Sequence, residues 1–245
     1  ILKDNFIERF DLIIDLQSKL RNTIILKQFP CDNFYSSTFN FKFCNVTQDY
    51  LSSKYEIKNI ILNIEKLLDT KIQHKKYDVN KIDSTYFDEA KRLLPGKNYI
   101  GFAITQGNKY RKKSWPLEKF INVAKEITKK NKTPVFFIEK ENIELIVKIK
   151  NELNNALFPE LETTLSGPPL VSALSTRLEK AISIDNGIMH MIGLANIPMI
   201  VLFGPTNSKK FAPKINKIDI LDSNLIYNSS DISKISENDV LNLIK

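Results

Sequence analysis

Cysteine is scarce: only Cys31 and Cys44 occur in 245 residues, with no C-x-x-C spacing and no histidine cluster beside them. This excludes a small disulfide scaffold and a zinc ribbon, and leaves two ordinary reduced thiols and no metal site. No run of eighteen apolar residues occurs, and no charged segment leading into a short apolar one opens the chain. A spanning helix and an export signal are therefore not expected, and the expected compartment is the cytoplasm. Internal repeats and low-complexity tracts are absent too, and the 42% hydrophobic content excludes disorder. A chain of this length can build one large domain or two small ones with real cores.

Glycine and alanine are sparse, whereas lysine, isoleucine and asparagine are heavily used, and the formal charge is +8. Two readings of that charge stay open. It fits an anionic partner such as nucleic acid, a phosphorylated small molecule or an acidic membrane surface. It fits equally a compositional bias that spreads lysine over solvated faces. The first residue is Ile1 and the sequence runs quickly into the strand-like F-D-L-I-I-D-L, so the chain is expected to begin partway into a domain.

Two kinds of segment alternate along the rest. Short runs rich in Ile, Val and Phe predict strands over 12–16, 99–104, 134–138, 180–184 and 199–203. Helical periodicity predicts helices over 117–131, 141–154, 170–178 and 189–195. From about residue 99 this is a succession of βαβ units, hence an α/β fold with a parallel sheet covered on both faces. Residues 1–94 are less regular: a strand and helix over 10–26, a polar, aromatic stretch over 29–54 and a helix over 57–68. The helix-ending Leu94-Pro95-Gly96-Lys97 predicts the boundary between a domain over 1–94 and a second over 95–245. The end, 235–245, reads as one amphipathic helix with Ser236 as N-cap and Asp239 in the capping-box position.

Four places could carry chemistry. The segment S-I-D-N-G-I-M-H, 183–190, is a buried strand that turns at Asp185-Asn186-Gly187 into a helix. Ligands in open parallel sheets sit beyond the carboxyl ends of strands, and a helix starting there offers unpaired N–H groups and a positive dipole end, which suits phosphate. Gly187 lets backbone come close to a ligand, and His190 lies one turn on. The plainer reading is that Asp185 caps the helix and His190 fills a core gap. Second, the strand ending near Ile104 leads into a polar loop with Thr105 and Gly107, the cations Lys109, Arg111, Lys112 and Lys113, and Trp115-Pro116 opening a helix. Small polar groups and cations at a strand's end suit a diphosphate, although such runs are often merely solvated. Lys113 is the favoured cation because Trp115 and Pro116 fix its loop. Third, Glu141 stands after the 134–138 strand, where a carboxylate can bind ribose hydroxyls or simply favour a helix start. Fourth, V-L-F-G-P-T, 201–206, is a strand ending in a Gly-Pro turn.

Taken in order, I-G-F at Ile100, K-S-W-P-L-E-K-F at Lys113, S-I-D-N-G-I-M-H at Ser183, G-L-A-N-I-P at Gly193, V-L-F-G-P-T at Val201 and I-S-E-N-D-V at Ile235 resemble glycosyltransferase family 9, the heptosyltransferases of lipopolysaccharide core synthesis. Upstream, F-D-L-I-I-D-L-Q-S-K-L-R from Phe10 resembles the family's strand and helix in its N-terminal domain. The resemblance implies two Rossmann-like domains of GT-B type facing a cleft, the N-terminal one incomplete here. It implies sugar transfer with inversion from a nucleoside diphosphate, ADP-heptose in the best-known case, to an anionic lipid-linked saccharide. No metal or other cofactor is implied, no nucleic-acid partner, and peripheral contact with the inner face of the cytoplasmic membrane fits the acceptor. By position, Lys113 would neutralise the diphosphate, Thr105 would touch it, and Glu141 would bind the ribose. Asp185, Asn186, Gly187 and His190 would hold phosphates and sugar, and Ser166 would lie near the base.

The sequence departs from the family in two loops. Ile138-Glu139 replaces a usual Gly-Gly pair, and Thr105-Gln106-Gly107 replaces a frequent Gly-Ala-Ser. The family's catalytic base is an Asp in the first loop of the N-terminal domain, expected upstream of Ile1; Asp15, at a strand end, is the weak candidate within the chain. The rival readings are a catalytically silent nucleotide-sugar-binding module and, on charge alone, a nucleic-acid-binding protein with its basic and aromatic run at 110–115.

Overall fold

The computed structural model describes residues 8–46, 48–52, 57–73, 77–107 and 112–244. The chain divides into two units, 1–76 and 77–245. In the first unit, strand β1 (Phe10–Asp15), helix α1 (Leu20–Leu26) and strand β2 (Cys31–Ser36) form a βαβ turn. Its strands pair in parallel, with Phe10 opposite Cys31 and Asp15 opposite Ser36. The expected polar stretch thus contains a strand, disguised by Asp32 and Asn33, residue types that strands disfavour. Helix α2 (Ile57–Leu68) buries Ile64 and Leu67 against Tyr35. The aromatic residues of the stretch have a packing role, since Phe41 and Tyr50 lie 4.9 Å apart and both flank Tyr35.

After a 3-10 turn over Val79–Lys81, the second unit continues into α3 (Ser84–Leu93), which the sequence does not set apart from its surroundings. The Pro95-Gly96 break does end this helix, but it is not the division between units. Ala90 and Leu94 are fully buried among Val135, Leu170, Leu174 and Phe203. Arg177 donates from Nε to the Leu94 carbonyl at 3.1 Å, and Arg92 reaches the Glu162 carbonyl at 2.7 Å. Residues 77–94 therefore belong with the C-terminal unit, and the division falls at 76/77 instead of 94/95.

The core sheet has five parallel strands: β3 (Tyr99–Ala103), β4 (Thr133–Phe136), β5 (Lys180–Ile184), β6 (Met199–Phe203) and β7 (Ile218–Asp222). Their spatial order is β4-β3-β5-β6-β7. Strands β3 and β6 are buried along their whole length, as expected of near-continuous apolar runs with both faces covered. One layer of core includes Phe102, Phe120, Phe136, Ile182 and Ile200; the other includes Ala103, Val135, Leu174, Met189 and Val201. The connecting helices are α4 (Leu117–Lys129), α5 (Ile143–Glu152), α6 (Pro168–Ser175) and α7 (Gly187–Leu194). Short helices α8 (Ser208–Phe211), α9 (Ser223–Tyr227) and α10 (Glu237–Leu241) complete the unit. The expected capping box forms: Ser236 Oγ accepts from Asp239 N at 3.1 Å and the Asp239 carboxylate accepts from Ser236 N at 2.7 Å. It heads a helix shorter than expected. Among the described residues no helix is long and apolar enough to cross a membrane.

Candidate functional site

In this strand order the chain reverses direction between β3 and β5. Loops leaving adjacent strands in opposite directions part there and open a crevice at the carboxyl edge of the sheet, the usual ligand position in doubly wound folds. The two segments that meet at this point are the residues flanking the β3–α4 connection, 104–107 and 112–116, and the turn at Asp185-Asn186 that starts α7.

Asn186 joins them. Its Oδ1 accepts from the Met189 amide at 2.7 Å, capping α7, and its Nδ2 donates to the carbonyls of Ala103 at 3.2 Å and Thr105 at 2.9 Å. The cap is therefore Asn186, and Asp185 is left for another task. Only 7% exposed, Asp185 accepts on Oδ2 from Thr206 Oγ1 at 2.7 Å and pairs through the same oxygen with Lys113 Nζ. Lys113 is itself 12% exposed, and its amide donates to Gln106 Oε1 at 2.9 Å, which closes the loop on itself. A cation this enclosed and paired is not a solvated surface lysine. Lys109 and Arg111 lie outside the described residues.

The block K-S-W-P-L-E-K-F divides its labour. Trp115, 2% exposed, donates from Nε1 to the Ile235 carbonyl at 3.0 Å and meets Phe120 edge-on at 4.8 Å. Lys119 Nζ donates to the carbonyls of Ser233 at 2.7 Å and Ile235 at 2.8 Å. Pro116 stands at the N-cap of α4, one position before the first turn where it was expected. All these bind the loop's far end to the C-terminal turn, and Lys113 alone is turned toward Asp185.

Gly187 is the first residue of α7 and is exposed; a Cβ added to it would meet no atom within 4 Å. The first-turn amides of a helix have no intrahelical partners, so this end of α7 offers donors and a positive dipole end with open space in front. His190 lies exposed on the next turn, so it does not fill the core gap of the plainer reading.

A cavity of about 450 Å³ holds the remaining expected residues. Glu141 and Ser166 line it together with Val171 of α6 and Ile188 and Met191 of α7. Glu141 does not open a helix, since Asn142 is the N-cap and α5 begins at Ile143. It is exposed in the loop after β4. Ser166 precedes Gly167, whose φ of 83° is the left-handed backbone that lets the chain swing into α6. Two residues of these sites escaped the sequence reading as contributors. Thr206 ends the V-L-F-G-P-T segment in the turn after β6, and the β5–β6 pairing is what carries its hydroxyl to Asp185. Glu160 lies in a 3-10 turn over Pro159–Glu162 and lines the cavity; burial, with Glu139 and Glu141 beside it, pushes its carboxyl up to about 7. No motif in F-P-E-L-E signals it.

In the first unit Asp15 is 2% exposed and fully engaged. Its carboxylate accepts from the amides of Gln17 at 3.1 Å and Ser18 at 2.9 Å, from Ser36 Oγ at 3.0 Å and from Thr23 Oγ1 at 2.5 Å. Such a carboxylate holds the β1–α1 turn to β2, and its lone pairs are committed to that work.

The profile of "Glycosyltransferase family 9 (heptosyltransferase)" matches residues 4–240. No curated protein matches the chain. Among solved structures, the glycosyl transferase family 9 protein from Veillonella parvula is similar at 20% identity and TM-score 0.71, over 96% of this chain and 72% of that one. E. coli heptosyltransferase WaaC, solved with ADP, is similar at 13% identity and TM-score 0.67, over 97% and 72%. E. coli ADP-heptose lps heptosyltransferase II is similar at 15% identity and TM-score 0.61, over 95% and 74%. These likenesses identify the α/β architecture, with its parallel sheets, as the GT-B type. With the family's profile running over nearly its whole length, the chain belongs to glycosyltransferase family 9.

Proposed function

We propose that the crevice between β3 and β5 binds a nucleoside-diphosphate sugar, with ADP-heptose as the donor. The chain then acts in moving the sugar, with inversion, to a hydroxyl of an anionic lipid-linked saccharide of the lipopolysaccharide-core kind. The observation that carries this is the enclosed Lys113 ammonium beside Asp185 at the N-terminus of α7, where the sheet order reverses. A diphosphate placed there meets a cation and free helix amides, the two groups best suited to two adjacent anionic phosphates.

Each residue then has a task. Lys113 neutralises the diphosphate, and Thr105, whose carbonyl is held by Asn186, lines its loop. Asp185 fixes Lys113 while Thr206 fixes Asp185. Gly187 leaves room for phosphate at the helix end, and His190 reaches the sugar side. Glu141 and Ser166 take the nucleoside in the adjoining cavity, at ribose and base respectively. In the reaction an acceptor oxygen, losing its proton to a base, attacks the anomeric carbon from the face opposite the diphosphate. The bond from that carbon to the diphosphate oxygen breaks, and its electron pair leaves on the nucleoside diphosphate. Lys113 and the α7 amides stabilise that departing charge. Asp15 is not the base in this mechanism, because its carboxylate is already saturated. The mechanism uses no metal or other cofactor, and peripheral contact with the inner face of the cytoplasmic membrane follows from the acceptor's lipid anchor.

Calorimetric titration of ADP-, UDP- and GDP-sugars into the wild type and Lys113→Ala tests the assignment. ADP-sugar binding at least roughly tenfold weaker in the variant is expected, since a charged hydrogen bond is worth about 1.5–3 kcal/mol. Failure of every sugar to bind, or equal binding by Lys113→Ala, overturns it. Donor binding with no transfer to any acceptor identifies the silent binding module instead.

A further inference from the structure

The cavity that adjoins the α7 crevice has a mixed lining. Leu165, Val171, Ile188 and Met191 give it apolar surface suited to the face of a planar ring, and Glu139, Lys140, Glu141 and Glu160 give it charge. Its volume of about 450 Å³ lies in the range of small-molecule sites. Glu160 lines it from the 3-10 turn and, among the described residues, makes no hydrogen bond, although it is half-buried. A half-buried carboxyl that lines a ligand-sized cavity without a hydrogen-bond partner is a polar group waiting for one.

Resting on the nucleoside-diphosphate reading above, we propose that Glu160 determines base specificity: as the neutral acid it pairs with the edge of adenine, accepting the exocyclic N–H and donating its own proton to the ring nitrogen beside it. A protonated carboxyl offers one donor and one acceptor, and an ionised one offers acceptors only. The ionised form would set a lone pair against the adenine ring nitrogen, but it could take the two neighbouring N–H groups of guanine. Charge state is therefore selectivity here.

The groups facing Glu160 favour the acid. Partial burial is the main influence, and Glu139 and Glu141, from the loop after β4, add to it by repelling the ionised form. Lys140 opposes them, but its Nζ is engaged by the Thr163 carbonyl. From α3, Arg92 is bidentate to Glu89, with Nε and an Nη at 2.7 and 2.8 Å, and its guanidinium also reaches the Glu162 carbonyl, so it is spent on other partners. The balance raises the carboxyl to about 7. The acid form then falls from about nine-tenths at pH 6 to about one-tenth at pH 8, and apparent affinity scales with the competent fraction.

The test measures ADP and GDP affinities at pH 6 and pH 8 for the full chain and for Glu160→Gln, whose amide keeps a donor and an acceptor at every pH. GDP carries the same diphosphate and corrects for that group's own ionisation. In the wild type the ADP-to-GDP affinity ratio is expected to fall at least about tenfold from pH 6 to pH 8, more if the ionised form also gains guanine, and in Glu160→Gln to stay level. A wild-type ratio that does not change, or one that changes equally in Glu160→Gln, overturns the role of Glu160 while leaving nucleotide binding intact. If neither nucleotide binds either protein, the nucleoside-diphosphate reading itself fails, and this inference with it.

Discussion

Asn186 gives the sharpest test of how the site is built, because one side chain performs two separable jobs. Its Oδ1 caps α7, and its Nδ2 ties the β5 turn to the end of β3 through two carbonyls. A lost N-cap costs about 1 kcal/mol. Two donated bonds add about 1 kcal/mol each. Asn186→Ala should therefore lose about 3 kcal/mol, equivalent to a fall of roughly 6–12 °C in Tm for a domain of this size class. Asn186→Ser keeps the cap alone and should lose about 2 kcal/mol. Asn186→Asp is the discriminating variant. By capping preference Asp equals Asn, and the helix dipole adds about 0.3–1 kcal/mol in its favour. In this structure, however, an aspartate oxygen would replace a nitrogen lying 2.9 and 3.2 Å from two carbonyl oxygens, with Asp185 next to it in the chain. Two attractions become repulsions, which outweighs the dipole. The expected order in urea unfolding is wild type, then Ser, then Ala and Asp together at the bottom. An Asp variant more stable than Ser would refute the claim that the ties to β3 matter more than the cap.

Two further outcomes follow from geometry. Gly187→Ala should fold with stability unchanged or raised by up to about 1 kcal/mol, because its Cβ meets open space and alanine suits a helix. It should nevertheless weaken nucleoside diphosphate binding in calorimetry, since that methyl projects where a phosphate would approach; unimpaired binding would remove Gly187 from the site. Glu160 also links stability to pH. Its folded-state carboxyl sits near 7 against an ordinary 4.5, so the folded state binds the proton more tightly, and stability declines as pH rises from about 4.5 through 7. Glu160→Gln should therefore raise the urea midpoint at pH 8 and leave it unchanged near pH 4, as followed by circular dichroism.

Much of this protein could be read from its sequence, and the reason is local. The buried strands over 99–103 and 199–203 are near-continuous apolar runs, the strand over 180–184 is buried from Ala181 on, and the turn at 185–187 is punctuated by Asp, Asn and Gly. Lys113 could be chosen from a run of cations because the neighbouring Trp115 is too large and apolar to stay in solvent. Backbone preference, periodicity and side-chain solubility act over a few residues, so the sequence records them directly. What it does not record is which strand lies beside which. The order β4-β3-β5-β6-β7 decides that Thr206 reaches Asp185, that Asn186 ties the start of α7 to the end of β3, and that Lys113 meets a carboxylate 72 residues away. The same is true of residues 77–94, whose Ala90 and Leu94 join a core built from segments far along the chain. It is true of Glu160 as well: an unremarked glutamate in the sequence, it acquires an unusual carboxyl only when folding removes part of its water and brings Glu139 and Glu141 beside it.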